Sequence, residues 1–255
     1  MDETFTFARP EWLGEVTSTS DLLKERAAAA RLPSGTVIAA RLQTRGRGRM
    51  NAHWQSAEGA GVMFSFSWSG RKEALEAGAL PMACALGVGD FLVREPWRLA
   101  TQCKWPNDVL APGDGKICGI LAEGGFAQDG RFSLVVGIGV NIRSEPGRDA
   151  HLGRKTASLE DFVGAAGEVE ELLPLLLENV QERIRAWETG GFAAIRNDLE
   201  KRLWGVGRPI SAKTIHGRVE GVVEGLDANG ELMLRQADGD RIAVASVSAI
   251  ESGWM

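Results

Sequence analysis

Between residues 36 and 68 two apolar segments flank a loop of three arginines and two glycines, Arg45-Gly46-Arg47-Gly48-Arg49. Thr36 to Leu42 has the composition of a strand that delivers the chain into the loop. Beyond it Val62, Phe64, Phe66 and Trp68 alternate with Met63, Ser65 and Ser67, the period-two pattern of a strand with two distinct faces. The loop is thus strung between two strands. Glycine permits positive φ and lets backbone N–H groups approach a ligand, while arginine offers a permanently charged fork suited to phosphate and carboxylate. In a chain of formal net charge -5, that concentration of positive charge points to a bound anion. Taken alone, a basic surface loop fits the same residues.

The length of 255 residues suits one large domain, or a large and a small one, with a real core. No apolar run is long enough to span a bilayer, and Met1 to Arg9 lacks the basic start and apolar centre of a secretory signal, which implies a cytoplasmic protein without membrane association. Cys84, Cys103 and Cys118 are odd in number and have no C-x-x-C spacing, so neither a disulfide framework nor a zinc site is indicated. A pI near 5.4 argues against general nucleic-acid affinity, which needs basic surface across a face rather than in one loop.

Along the chain, a mixed α/β (α+β) body precedes a small β region. Ser18-Thr19-Ser20-Asp21 offers capping side chains before a helix over about residues 20–31, ended by Pro33-Ser34-Gly35. A second helix begins near Pro81 and runs to Val93. Lys116 to Glu123 and Phe132 to Ile142 are strands. Val169, Leu172, Leu173, Leu176, Val180, Ile184 and Trp187 fall at helical spacing, and Phe192, Ile195, Leu199 and Leu203 mark one more helix, both stripes facing the core. After Trp204-Gly205-Val206-Gly207 come short β segments at Pro209 to Thr214, Arg218 to Leu226, Glu231 to Gln236 and Arg241 to Val247, with turns at Ala228-Asn229-Gly230 and Asp238-Gly239-Asp240. This divides the chain into residues 1–204 and 205–255, the second a small barrel.

A second constellation is Lys104-Trp105-Pro106-Asn107-Asp108, followed by Lys116-Ile117-Cys118-Gly119-Ile120-Leu121-Ala122-Glu123. Pro106 and Asn107 favour a turn that presents Asn107 and Asp108 at a strand end. Singly, Lys104 fits a solvated lysine, Asn107 a turn residue and Asp108 a cap. Gly137-Ile138-Gly139-Val140-Asn141 places glycines in a strand, as where backbone meets a ligand closely. None of these is a G-x-G-x-x-G or Walker loop, so the common dinucleotide and nucleoside triphosphate folds are not supported.

In this order the segments resemble the biotin protein ligases, also called biotin holoenzyme synthetases. Ser18-Thr19-Ser20 resembles the family's Ser-Thr-Asn, Gln43 to Trp54 its Q-x-x-G-R-G-R-x-x-x-x-W loop, and Lys104 to Asp108 its K-W-P-N-D. Lys116 to Glu123 matches K-x-x-G-I-L-x-E, and Gly137 to Asn141 matches G-x-G-x-N. The resemblance runs from about residue 15 to the end, is weak between about 145 and 200, and implies a mixed-sheet catalytic domain followed by an SH3-like domain. Because about fourteen residues precede the ligase core, it implies a monofunctional biotin--[acetyl-CoA-carboxylase] ligase without the DNA-binding domain of regulatory members. Ser20 departs from the usual Asn, and Asn51-Ala52 stand where a Gly-Arg pair is common.

The resemblance implies that biotin's carboxylate attacks the α-phosphate of ATP to give biotinyl-5'-AMP, and that a lysine of a biotin carboxyl carrier protein then takes the biotinyl group. It assigns Lys116 to the biotin carboxylate and α-phosphate, Arg47 and Arg49 to closure over the adenylate, and Asp108 to the incoming amine. Ser18, Thr19 and Gln43 would bind the ureido end. Gly46, Gly48, Trp54, Gly119, Ile120, Leu121 and Gly137 would line the biotin slot, and Lys104, Asn107, Asn141 and Arg208 would contact ATP. Mg²⁺ would neutralise the triphosphate, with no protein ligand identified. A homodimer through a sheet edge stays open, since no periodicity identifies such an edge. The alternatives are a lipoate or octanoate ligase or transferase, an RNA-binding protein using its Arg-Gly segment, and an idle interaction module. RNA-binding Arg-Gly segments recur in disordered tracts, whereas this one occurs once between apolar strands.

Overall fold

The computed structural model describes residues 4–30, 32–49, 52–70, 74–126, 131–145, 155–214, 217–247 and 249–252. The chain opens with a strand, β1 (Glu11–Val16), and a helix, α1 (Thr19–Ala29), capped by Ser18, whose Oγ accepts from the Asp21 N–H at 3.3 Å. Strand β2 (Val37–Gln43) leads into the arginine-glycine loop, which folds as a small hairpin of β3 (Gly46–Arg47) and β4 (His53–Trp54), and β5 (Gly61–Gly70) follows. Then come α2 (Ala74–Ala77), α3 (Leu80–Val93), β6 (Gln102–Lys104), β7 (Asp108–Leu110), β8 (Lys116–Phe126), β9 (Phe132–Asn141), α4 (Glu160–Val163) and α5 (Val169–Lys201). Seven strands form one mixed sheet in the order β1-β2-β5-β9-β8-β7-β6, in which only β1 and β2 run parallel.

The alternation in β5 sorts its side chains between two layers, as the sequence predicts. Val62, Phe64, Phe66 and Trp68 join the main core with α3 and α5. Ser65, on the opposite face, shares hydrogen bonds with the hydroxyls of Thr19 and Ser20 from α1 at 2.7 and 2.8 Å. Leu23, Ile38 and Val135 form a smaller cluster under α1. Residues 61–68 are consequently buried on both faces, a central strand in all but its polar serines.

The two predicted C-terminal helices are a single span, α5, broken at Gly191, where φ 64° and ψ -161° depart from helical values. Arg183 before the break pairs with Asp90 at 2.5 Å and with Asp198 beyond it at 2.7 Å, while Arg202 reaches Asp90 at 2.7 Å. These charges tie both halves of α5 to α3. A five-stranded antiparallel sheet ends the chain: β10 (Pro209–Thr214), β11 (Gly217–Leu226), β12 (Leu232–Arg235), β13 (Arg241–Val244) and β14 (Ala249–Ser252), in the order β13-β12-β11-β10-β14. The sequence reading left out β1, β14 and the short pairs β3–β4 and β6–β7, and it extended β13 to Val247, which lies outside the strand. Among the described residues no helix is long and apolar enough to cross a membrane.

Candidate active site

One cleft of about 580 Å³ opens over the α1 face of the large sheet. Its floor is set by register: Ser65 lies opposite Gly137, which lies opposite Leu121, and one pleat along, Met63, Gly139 and Gly119 align in the same way. Aligned residues share a face, so three glycines leave a trough in the sheet. Part of that trough holds Trp54. A Cβ on Gly139 would stand 2.4 Å from the indole, one on Gly119 2.9 Å from it, and one on Gly137 2.5 Å from Ser20 Oγ. The glycines of β8 and β9 therefore let the protein's own indole approach, as well as any ligand.

At one end of the trough, Gln43 Oε1 accepts from the Thr19 N–H at 2.8 Å and from its hydroxyl at 3.1 Å. At the other end, Lys116 Nζ meets Asp108 Oδ1 at 2.5 Å as an ion pair without hydrogen-bond alignment, and lies 5.9 Å from the Trp54 ring. The β6–β7 hairpin positions Asp108, because Lys104 pairs with Asp108 across it and Asp108 pairs with Gly119 of β8. Asn107 locks this turn to β8, donating to the Ile120 carbonyl at 2.6 Å while its own carbonyl accepts the Ile120 N–H. Burial pushes the Lys104 ammonium below its ordinary range, opposed by Asp108 and reinforced by Lys116. Its Nζ lies 5.0 Å from the Trp204 ring and 3.3 Å from the Ile250 carbonyl.

The loop closes the cleft from above. Gly48 N–H donates to the Ala52 carbonyl at 2.7 Å, and Ala52 N–H to that of Arg49 at 3.0 Å, so the hairpin tip closes without an arginine at 52. Asn51 lies outside the described residues. Arg49 donates to Asn107 Oδ1 at 3.1 Å and to the Val247 carbonyl at 2.6 Å, joining the loop to the β6–β7 turn and to the C-terminal region. Arg47 points to Glu123 and Asp21. Among the described residues, no group of three or more His, Cys, Asp or Glu is placed to hold a metal ion.

The sequence profile of the Biotin/lipoate A/B protein ligase family matches residues 13–141, and that of the biotin protein ligase C-terminal domain matches residues 205–249. A biotin--[acetyl-CoA-carboxylase] ligase of Paracoccus denitrificans is 36% identical over 216 residues, which cover 82% of this chain and 88% of that protein. This chain belongs to the biotin protein ligases. The bifunctional ligase/repressor BirA of Bacillus subtilis is 30% identical over 88% of this chain and 69% of its own length. Among solved structures, the biotin protein ligase from Aquifex aeolicus in complex with biotin and ATP superposes with a TM-score of 0.81 at 27% identity, covering 97% of this chain and all of that one.

Within this ligase, Ser18, Thr19, Gln43, Arg47, Gly48, Arg49, Trp54, Lys104, Asn107, Asp108, Lys116, Gly119, Ile120, Leu121 and Gly137 all line the cleft. Gly46, Asn141 and Arg208 do not. Gly46 is packed under Trp54, whose carbonyl a Cβ would meet at 2.5 Å. Asn141 is buried, and its amide donates to the Lys116 and Ala157 carbonyls at 3.2 and 3.0 Å, holding the start of β8. Arg208 pairs with Asp114 at 3.0 Å, behind Trp204, whose indole N–H also donates to Asp114, at 2.8 Å. The cleft further includes His53, Trp105, Asp114, Lys155, Trp204, Val247 and Ile250. Trp105 belongs to the K-W-P-N-D segment and His53 lies within the loop segment; the others carry no local signal.

Proposed function

We propose that this ligase joins biotin to a lysine of a biotin carboxyl carrier domain by way of biotinyl-5'-AMP. A biotin carboxylate oxygen attacks the α-phosphorus of ATP, and the bond to pyrophosphate breaks. The carrier amine then attacks the activated carbonyl, loses a proton, and AMP leaves. Both nucleophiles belong to substrates, so the protein supplies alignment, positive charge and exclusion of water rather than a nucleophilic side chain. The observation that carries this reading is the position of Lys116, at the junction between a glycine-floored trough and a cationic region.

The trough, bounded by Trp54, Leu121 and Gly137, suits an apolar bicyclic ring, with Thr19 and Gln43 available to a ureido group at its inner end. Lys116 then faces the carboxylate and the α-phosphate. Lys104, which is desolvated and has no carboxylate in direct contact among the described residues, gains most from an arriving polyphosphate. Asp108, already on Lys116, is placed to orient or deprotonate the carrier amine. Mg²⁺ would be carried by the triphosphate, since the described residues offer no cage for it. We take residues 1–204 as the catalytic unit and 205–255 as the unit that closes its ATP end, through the Val247 and Ile250 carbonyls on Arg49 and Lys104. Incubation with ATP, Mg²⁺, biotin and a carrier domain should yield biotin on the carrier, detected by avidin blot, and none on a carrier with arginine at the acceptor position. An unlabelled carrier, or equal labelling of both, contradicts the reading.

A further inference from the structure

Two arginines of the loop line the cleft, and their charges are spent differently. Arg49 is bonded to neutral oxygens, the Asn107 side-chain carbonyl and the Val247 backbone carbonyl. Burial lowers its affinity for its proton, and Asp108 opposes that shift only through space. Its charge is thus largely uncompensated by direct contact. Arg47 differs. Its Nη1 reaches Glu123 Oε1 at 3.3 Å, and its Nη2 contacts both Glu123 Oε2 and, at 2.9 Å, Asp21 Oδ1. Glu123 in turn accepts from Lys24 Nζ at 2.5 Å. Two cations and two carboxylates from the loop, α1 and β8 form a neutral cluster at the rim.

We propose that Glu123, supported by Asp21, is the seat on which the arginine-glycine loop closes, and that Arg47 is the latch that engages it. Arg49 is left as the loop arginine whose charge serves an anionic ligand. The inference rests on the cleft being the adenylate site, and it divides that site's labour: Glu123 is a positioning residue acting through Arg47. An isolated exposed pair contributes little, but here the two-pronged Arg47–Glu123 contact is partly desolvated and shared among four groups, each side chain 33–39% exposed. Lys24 also suits a latch that must open. When Arg47 leaves, Glu123 keeps a cationic partner, so opening does not strand it without a countercharge.

The test is Glu123→Gln, which preserves shape and removes charge, alone and combined with Arg47→Gln. Loss of biotinyl-5'-AMP from the preloaded enzyme should quicken by about fivefold in Glu123→Gln, while single-turnover adenylate formation at saturating biotin and ATP stays within about twofold. In the Arg47→Gln background the Glu123→Gln change should add nothing further to adenylate loss. Additive effects on adenylate loss, or an unchanged rate in Glu123→Gln, overturn the latch. Hydrogen exchange of residues 45–49 without ligand provides a second readout, expected to quicken in Glu123→Gln relative to wild type; equal exchange also overturns it. If the wild type makes no biotinyl-5'-AMP at all, the adenylate reading fails, while the exchange comparison still decides the latch. Circular dichroism and a thermal melt on each variant separate a loosened loop from a lost fold.

Discussion

In the proposed reaction Lys116 faces two anions, a carboxylate and an α-phosphate, and in the structure it meets a third, Asp108, at 2.5 Å. That pair aims the Lys116 side chain before substrate arrives, so little reorganisation is needed during the proposed reaction. Lys116→Ala should lower biotin-dependent pyrophosphate exchange on the order of a hundred- to a thousandfold, the range for losing one preorganised donor. Exchange close to wild type would remove Lys116 from the chemistry. Arg49 differs: its bonds to Asn107 and Val247 tie the loop across the cleft, and the proposed reaction gives its charge to the adenylate. Arg49→Gly should release the adenylate into solution, so that lysines of bystander proteins become biotinylated. Labelling confined to the carrier would show that the loop stays shut without it. Asn141 marks what a motif alone conveys: the strand and the residue are legible, but a fully engaged buried amide looks the same in sequence as one awaiting ATP.

At the scale of elements, hydrophobic period carried most of the fold. Strand β5, helices α1 and α3, and both halves of α5 follow from spacing and caps. Strand β1 escaped because half its residues are exposed and it lies at the sheet edge, with no strict alternation in Glu11–Val16. Strand β14 is four residues long and takes its place by pairing with β10, a long-range contact that local pattern does not encode. The Gly191 break could be anticipated from Gly190-Gly191 between two apolar stripes, yet the ion pairs bridging it could not. Hydrogen bonding from Arg183, more than charge proximity, holds Asp198 below its ordinary value of 3.8. Its stabilising contribution is therefore present above that value and is lost as pH falls through the lower folded value. Asp198→Asn should flatten the acid limb of the stability curve below about pH 4, seen as a smaller drop in Tm on acidification than in wild type. An identical acid limb would mean that Asp198 does not couple the two halves of α5.

Across the whole molecule, the polar end of the cleft is made by parts far apart in sequence. Loop residue Arg49 meets Val247, Lys104 meets Trp204 and Ile250, and Trp105 donates its indole N–H to the Gly230 carbonyl at 2.9 Å. The glycines and lysines were legible because each motif is local. Val247, Ile250 and Trp204 were not, because only tertiary folding brings the C-terminal sheet to the β6–β7 hairpin. The same close packing buries all three cysteines. Burial raises the Cys103 thiol to about 12 and drives those of Cys84 and Cys118 well above a free thiol as well. Native protein should therefore resist thiol reagents at neutral pH, with all three groups reacting only on unfolding; rapid labelling of any of them under native conditions would show local opening of the core. The central claim is that this cleft activates biotin in particular, and the most direct measurement is ATP-dependent AMP production with carrier domain present, offering biotin, lipoate and octanoate in parallel. AMP formed with biotin and not with the other two is the predicted result. Turnover of lipoate or octanoate in place of biotin would contradict it.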